Sequence, residues 1–283
     1  MNQEQELDEF IRRALLEDIG EGDHSSLACI PEDAERKARL LVKESGVLAG
    51  VDIALRVFKH VDPSLTVQVY ITDGTEVKPG DVAFIVSGKA RSILGAERIV
   101  LNLMQRMSGI ASRTRSVVNT IAGTGAHILD TRKTTPGLRY IEKLAVRIGG
   151  GMNHRFGLYD MIMLKDNHID YAGGIAPAMA RVRSYMNARA LNLPVEVEVR
   201  NLDELKEALK EVGVTRIMLD NFKPDALREA VKFVDGRVET EASGGITPED
   251  VRSYAETGVT YISMGALTHS VRSLDLSLKA ISE

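Results

Sequence analysis

From residue 125 onward, short apolar runs alternate with helical patterns, and this alternation constrains the fold more than any other feature of the chain. The runs are HILDTRK, MIMLKDN, VEVEVR, RIMLDN, VETEASGG and YISMGALTHS, and the last four begin 21 to 23 residues apart. Helical patterns fall near 174–190, 202–212, 224–233 and 248–257. Strand, helix and strand with short links make βαβ units and a parallel sheet. The regularity is one of spacing, without a repeated sequence.

VEVEVR bears on whether that sheet is open or closed. Its period of two puts Val195, Val197 and Val199 on one face and Glu196, Glu198 and Arg200 on the other. An open parallel sheet covered by helices needs two apolar faces. A charged face therefore points to a barrel with a polar interior; an edge strand with a solvated face is the alternative.

The first 115 residues have a different texture. Leu7, Phe10, Ile11, Leu15 and Leu16 give an amphipathic helix over residues 4–17. EDIGEGDHSS reads as a polar loop. RLLVKESGVLAG, LTVQVYI and DVAFIVSG read as strands with DG and PG at the turns. A long helix follows from Arg91 to about Ile121, with Ile99, Leu103, Met107 and Ile110 in one stripe and Gly109 interrupting it.

The single cysteine, Cys29, excludes an intramolecular disulfide. The acidic start MNQEQELDEF does not have the form of a signal peptide, and no apolar run reaches the length of a membrane span. These features together give a cytoplasmic expectation. The net charge of −4 argues against a nucleic-acid or anionic-membrane binder, so any anion site must come from local clustering.

Such a cluster exists. Residues 130–168 hold seven Lys and Arg (132, 133, 139, 143, 147, 155 and 165) against four Asp and Glu (130, 142, 160 and 166), a local charge of +3. His154 and His168 add donors. Strand ends carry Asp130–Lys133, Lys165–His168, Glu198, Asp220–Asn221, Ser243–Gly245 and Gly265–Leu267. Active sites of βα barrels are built on this face. In EASGGITPED, two glycines precede a helix expected at Thr247 with Pro248 at its first position, an arrangement suited to phosphate. MGALTHS supplies the adjacent loop. Carboxylates within a basic pocket, here Glu198 and Asp220, hold Mg²⁺, orient hydroxyls or stabilise developing positive charge, unless they simply pair with neighbouring cations. A Schiff-base lysine at Lys133 or Lys165 stays open on pattern alone.

The same residues carry a family resemblance. DTRKTTPGLR, EKLAVRIGGGMNHRFGLYDMIMLKDNH, EVEV, LDNF, EASGGI and YISMGALTHS resemble the signature blocks of quinolinate phosphoribosyltransferase, and EDIGEGDHSS and GAERIVLNLMQRMSGIAS resemble its N-terminal half. HSS after GD, where Thr-Ser is more usual, is a mild departure.

The resemblance implies an α/β chain. An N-terminal α/β sandwich domain (1–115), completed by a C-terminal helix at 270–283, would precede an incomplete six- or seven-stranded parallel α/β barrel (116–269). It also implies that quinolinate and phosphoribosyl pyrophosphate give nicotinate mononucleotide, pyrophosphate and CO₂ with Mg²⁺, in de novo NAD biosynthesis. By that resemblance Arg132, His154, Arg155 and Lys165 bind the quinolinate carboxylates and nearby phosphate. Arg98 enters from the neighbouring subunit of a homodimer. Lys133 lies beside the reacting centre, Glu198 and Asp220 hold the ribose hydroxyls and Mg²⁺, and Ser243, Gly244, Gly265 and His269 line the 5′-phosphate end. A sister enzyme acting on another acidic heterocycle, a lysine-dependent phosphosugar aldolase or isomerase, and a non-catalytic anion-binding relative are the competing readings.

Overall fold

The computed structural model describes residues 3–281 and divides into two compact units. One holds the chain up to Arg115, Thr134–Gly150 and the chain from Ser270; the other holds Ser116–Lys133 and Gly151–His269.

The first unit opens with α1 (Gln3–Ile19), which buries Leu7 and Ile11. α2 (His24–Cys29) follows where a loop was expected. Asp23 caps it, its carboxylate accepting from the Ser26 N–H at 3.1 Å, so the polar HSS run marks a helix start. β1 (Glu35–Val42) and β2 (Gly46–Val47) lead into α3 (Val51–Val61), a helix the sequence reading missed. Its signal is Val51, Ala54, Val57 and Phe58, spaced for one helix face and all buried. β3 (Thr66–Val69), β4 (Glu76–Val77) and β5 (Val82–Lys89) complete the strands of this stretch. Phe58 meets Phe84 of β5 edge to face, with centroids 5.8 Å apart. α4 (Ala90–Thr120) is the expected long helix.

β6 (His127–Leu129) begins the strands of the second unit. α5 (Arg139–Ile148) returns to the first unit, although the sequence placed 134–150 within the barrel. Its buried Glu142 receives the Arg106 guanidinium of α4 at 2.6 and 2.8 Å. The barrel run resumes with β7 (Ile162–Leu164), α6 (Asp166–Ala172), α7 (Ile175–Ala188), β8 (Val195–Val199), α8 (Leu202–Ala208), β9 (Arg216–Asp220) and α9 (Pro224–Val234). β10 (Glu239–Ser243), α10 (Val251–Ala255), β11 (Tyr261–Ser263) and α11 (Ala266–His269) finish it. Two boundaries differ from expectation. α10 starts at Val251, because Asp250 accepts from the Thr247 N–H at 2.7 Å and holds residues 247–250 in a turn. ALTH is a short helix, not a continuation of the last strand.

The C-terminal segment is β12 (Leu276–Ala280), not the expected helix. Leu274, Leu276 and Leu278 alternate with polar residues and are buried, which is a strand period. β12 pairs antiparallel with β1, Leu278 opposite Leu40, giving the sheet order β12-β1-β5-β3. Residues 282 and 283 of that expected helix lie outside the described residues. Gly109 has its reason here: a Cβ on it would strike the Arg272 backbone oxygen, so only glycine lets that segment pass against α4.

In the second unit six parallel strands run in the order β6-β11-β10-β9-β8-β7. Apart from β6, which pairs with β11, neighbours in the sheet are neighbours in the chain. The two edge strands, β6 and β7, are consecutive and are not paired with each other, so the barrel is incomplete. One isolated parallel bridge, Leu129 to Met152, adds to the β6 edge. All five residues of β8 are buried. The expected charged face is real at Glu196 and Glu198. Arg200 leaves it, exposed beyond the strand and paired with Asp170 and Glu204.

Candidate active site

Every strand of this barrel delivers a polar residue to one cavity of about 710 Å³. β6 is followed by Thr131, Arg132 and Lys133. β7 leads to Lys165 and Asp166, β8 supplies Glu198, and β9 ends on Asp220. β10 gives Glu241 and Ser243–Gly245, and β11 ends on Ser263 and is followed by Gly265 and Ala266. His154, Arg155 and His269 complete the wall. This is the carboxyl end of a parallel barrel, where loops are free to carry chemistry because the strands fix their ends.

The cationic wall begins at Arg132, whose Nε is buried without a hydrogen-bond partner. Arg155 donates from Nη1 to the Met161 carbonyl at 3.2 Å. Burial, and then the neighbouring Arg132, push the Arg155 pKa down. Two guanidiniums on one cavity wall, one with a buried unpaired N–H, are of the kind that can receive a planar anion. Lys165 reaches Glu198 at 3.3 Å, and its backbone N–H is received by the His168 ring, which is therefore a cap of α6 and not a cavity donor. The Lys133 backbone carbonyl accepts from the buried Thr268 hydroxyl at 2.8 Å. A Cβ on Gly265 would lie 2.8 Å from the Lys133 side chain and 3.2 Å from the His269 ring, so a larger residue there would displace the Lys133 stem.

The acidic centre is Glu198 and Asp220. Burial pushes the Asp220 carboxyl up, opposed by Lys165 and by the Asn221 amide, which donates to it at 2.6 Å. The glycine turn is built around that amide. Gly244 has φ +104°, and a side chain on it would strike Asn221, whose own φ is +60°. With α10 only five residues long and starting at Val251, any phosphate contact here rests on the loop backbone, not on a helix terminus.

Deeper in the cavity His154 meets two carboxylates the sequence reading left without a role. Its Nε2 lies 2.9 Å from Glu196 and 3.4 Å from Glu241. Burial disfavours charge on the ring and Glu196 and Glu241 favour it, pushing its pKa up to about 9. Yet the Arg155 backbone N–H, which donates to Nδ1 at 2.7 Å, occupies the place a second ring proton would take, and that geometry describes a ring protonated on Nε2 alone. Burial pushes Glu196 up. It acts on Glu241 too, but His154, Ser263 and Arg216 outweigh it there and the carboxyl falls below its usual range. The signal for both was available: Glu196 shares the strand face of Glu198, and Glu241 that of Ser243.

Of the sequence-derived site residues, Lys133, Glu198, Asp220, Arg132, His154, Arg155, Lys165, Ser243, Gly244, Gly265 and His269 all line this cavity. Arg98 does not: it is exposed on α4 in the first unit. The basic run also divides, since Arg139, Lys143 and Arg147 sit on α5 in that unit.

Comparison with known proteins covers nearly the whole chain. Residues 23–108 match the model of the N-terminal domain, and residues 110–279 that of the C-terminal domain, of quinolinate phosphoribosyl transferase. A nicotinate-nucleotide pyrophosphorylase [carboxylating], chloroplastic, from Oryza sativa subsp. japonica is 50% identical, over 98% of this chain and 78% of that protein. A probable nicotinate-nucleotide pyrophosphorylase [carboxylating] from Bacillus subtilis is 44% identical, over 96% of this chain and 93% of that protein. The crystal structure of NadC from Streptococcus pyogenes superposes with a TM-score of 0.93 at 40% identity, covering 100% of this chain and 99% of that one.

Proposed function

The chain belongs to the quinolinate phosphoribosyltransferase family, and we infer that it transfers the phosphoribosyl group of phosphoribosyl pyrophosphate to quinolinate with decarboxylation. The products are nicotinate mononucleotide, pyrophosphate and CO₂, in de novo NAD biosynthesis. The observation that carries this reading is the match of both domain models across the chain, and a cavity that gathers cations and carboxylates supports it.

The residue roles are those the family resemblance implies, and charge and position support them. Arg132, Arg155 and Lys165 take the two quinolinate carboxylates, with His154 supporting them from the cavity floor. Planar guanidiniums suit carboxylates better than ammonium groups do. Ser243, Gly244, Gly265 and His269 form the 5′-phosphate end. The ring nitrogen attacks the anomeric carbon as the bond to pyrophosphate breaks, through an oxocarbenium-like centre. Glu198 and Asp220 stabilise that cation and orient the ribose hydroxyls, while Lys133 offsets charge on the departing pyrophosphate. Loss of CO₂ then leaves an electron pair on the ring carbon beside the quaternised nitrogen. The surrounding cations stabilise it until it takes a proton.

Glu198 and Asp220 also fit a magnesium ion. They are hard oxygen donors on adjacent strands, and the raised Asp220 carboxyl marks a half-buried charge that a cation would relieve. Mg²⁺ supplies charge neutralisation of pyrophosphate. We further propose a homodimer in which exposed Arg98 of one protomer reaches the other's site, and a cytoplasmic location. Among the described residues no helix is long and apolar enough to cross a membrane, while the rice relative's name places that protein in the chloroplast.

The test mixes protein, phosphoribosyl pyrophosphate and Mg²⁺ with quinolinate, and in parallel with nicotinate, and follows nicotinate mononucleotide and CO₂. Both products from quinolinate alone are expected. Product from nicotinate alone would move the chain to a sister activity, and no product from either would refute the assignment.

A further inference from the structure

The buried group beneath the cavity mouth does more than the reaction asks of it. His154, Glu196 and Glu241 are all buried, on the Gly151–Arg155 segment, β8 and β10, and their ligating atoms lie within 4.8 Å of one another. A bare ring nitrogen facing two carboxylates would meet lone pairs on every side. Nε2, 2.9 Å from Glu196 and 3.4 Å from Glu241, therefore carries a proton where both carboxylates are ionised, and it faces them as a close electrostatic contact, not as an aligned hydrogen bond. Nδ1 sits 2.7 Å from the Arg155 backbone N–H, which donates to it. A second ring proton, at Nδ1, competes with that N–H for the same position. The His154 backbone N–H donates to Asp130 at 2.8 Å, and the Asn153 amide holds the other oxygen of that carboxylate at 2.6 Å.

Both ring nitrogens thus face groups of the protein itself, Nε2 the two carboxylates and Nδ1 the Arg155 N–H. Arg216 of β9 approaches Glu241 at 3.2 Å and provides the neighbouring positive charge. Glu239 at 3.1 Å and the Tyr261 ring at 4.1 Å hold Arg216 from its other side. That fixed cation disfavours a metal ion among the same three groups.

We propose that Glu196 and Glu241 are positioning residues which, through the clamped His154 ring, fix the Arg155 backbone and with it the place of the Arg155 guanidinium against the substrate. His154 then acts as a strut and not as a carboxylate donor. The functional half of this proposal rests on the role given to Arg155 above; the clamp itself does not. Residues that orient a functional side chain matter because a site loosened by about 1 Å loses much of its activity.

The clamp is tested on the wild-type protein by two-bond proton–nitrogen correlation of the ¹⁵N-labelled imidazoles, with His154 assigned by substituting the other histidines. Nε2 is expected to stay protonated from pH 6 to pH 9, and its resonance to ignore added Zn²⁺ or Mn²⁺. A ring protonated only on Nδ1, or one that shifts stoichiometrically with either metal, overturns the clamp. The functional arm uses Glu196→Gln and Glu241→Gln. Each is expected to raise the quinolinate KM about tenfold, as loss of an orienting partner does, while the phosphoribosyl pyrophosphate KM stays within about twofold. Folded variants with an unchanged quinolinate KM overturn the positioning role. Wild-type protein that makes no nicotinate mononucleotide refutes the assigned reaction, and the imidazole spectrum then still decides the clamp.

Discussion

Replacing Arg132 by methionine should stabilise the free protein and damage substrate binding together. The Arg132 Nε is buried with no hydrogen-bond partner, and its guanidinium adds to burial in lowering the pKa of Arg155. An unsatisfied buried donor costs about 1–3 kcal/mol. Methionine keeps the length of the apolar stem, so most of the packing is retained. Against this stands some lost hydration of the exposed part of the side chain, which leaves a net gain of about 1 kcal/mol and roughly 2 °C in Tm. Binding moves the other way. Each hydrogen bond to a charged partner contributes about 1.5–3 kcal/mol, and every 1.4 kcal/mol is tenfold. The quinolinate KM should therefore rise by roughly 10- to 100-fold per bond lost. Arg132→Lys should fall between, keeping the charge and losing the fork. The assays are a thermal melt of the unliganded protein and initial rates against quinolinate at saturating phosphoribosyl pyrophosphate. A lowered Tm with an unchanged KM would make Arg132 a structural cation and refute the reasoning.

Gly244→Ala forces a side chain onto Asn221 at a positive φ, and should cost about 1–3 kcal/mol of stability while raising the phosphoribosyl pyrophosphate KM more than that of quinolinate; chemical denaturation and kinetics measure the two. Arg106→Met strips the ion pair from the buried Glu142 carboxylate and should destabilise by about 3–5 kcal/mol, with much of the loss recovered in the double variant carrying Glu142→Gln, read by urea titration. Hydrogen bonds from Arg56, and then His60, hold Asp8 below its ordinary 3.8. A lowered carboxyl contributes stability that is present above its unfolded pKa and lost as pH falls through the folded one. The wild type should therefore lose stability more steeply below about pH 4 than Asp8→Asn, and parallel stability curves would remove Asp8 from the account.

The readable parts of the sequence share a physical cause. Period-two alternation and strand-end chemistry are local, so VEVEVR disclosed its inward carboxylates and the strand ends disclosed the cavity. Other features depended on distant partners. Gly109 looked like a defect in a helix until Arg272 came to lie against it. The last strand was legible as alternating leucines, yet its identity needed β1 as a pairing edge. α3 was hidden because its apolar positions sit between strand signals of similar composition. Charge was the least local property. DTRKTTPGLR is one basic run in the chain, but the fold sends Arg132 and Lys133 to the cavity and Arg139 to the other unit. The opposite holds for Glu196 and Glu241: 45 positions apart in sequence, they meet at one imidazole. A count of charges along the chain therefore overstates the cations at the cavity wall and misses the anions at its floor. Each surface cation is stable wherever water reaches it, whereas a buried carboxylate persists only where a donor has been brought to it, so the buried pair carries the sharper structural information.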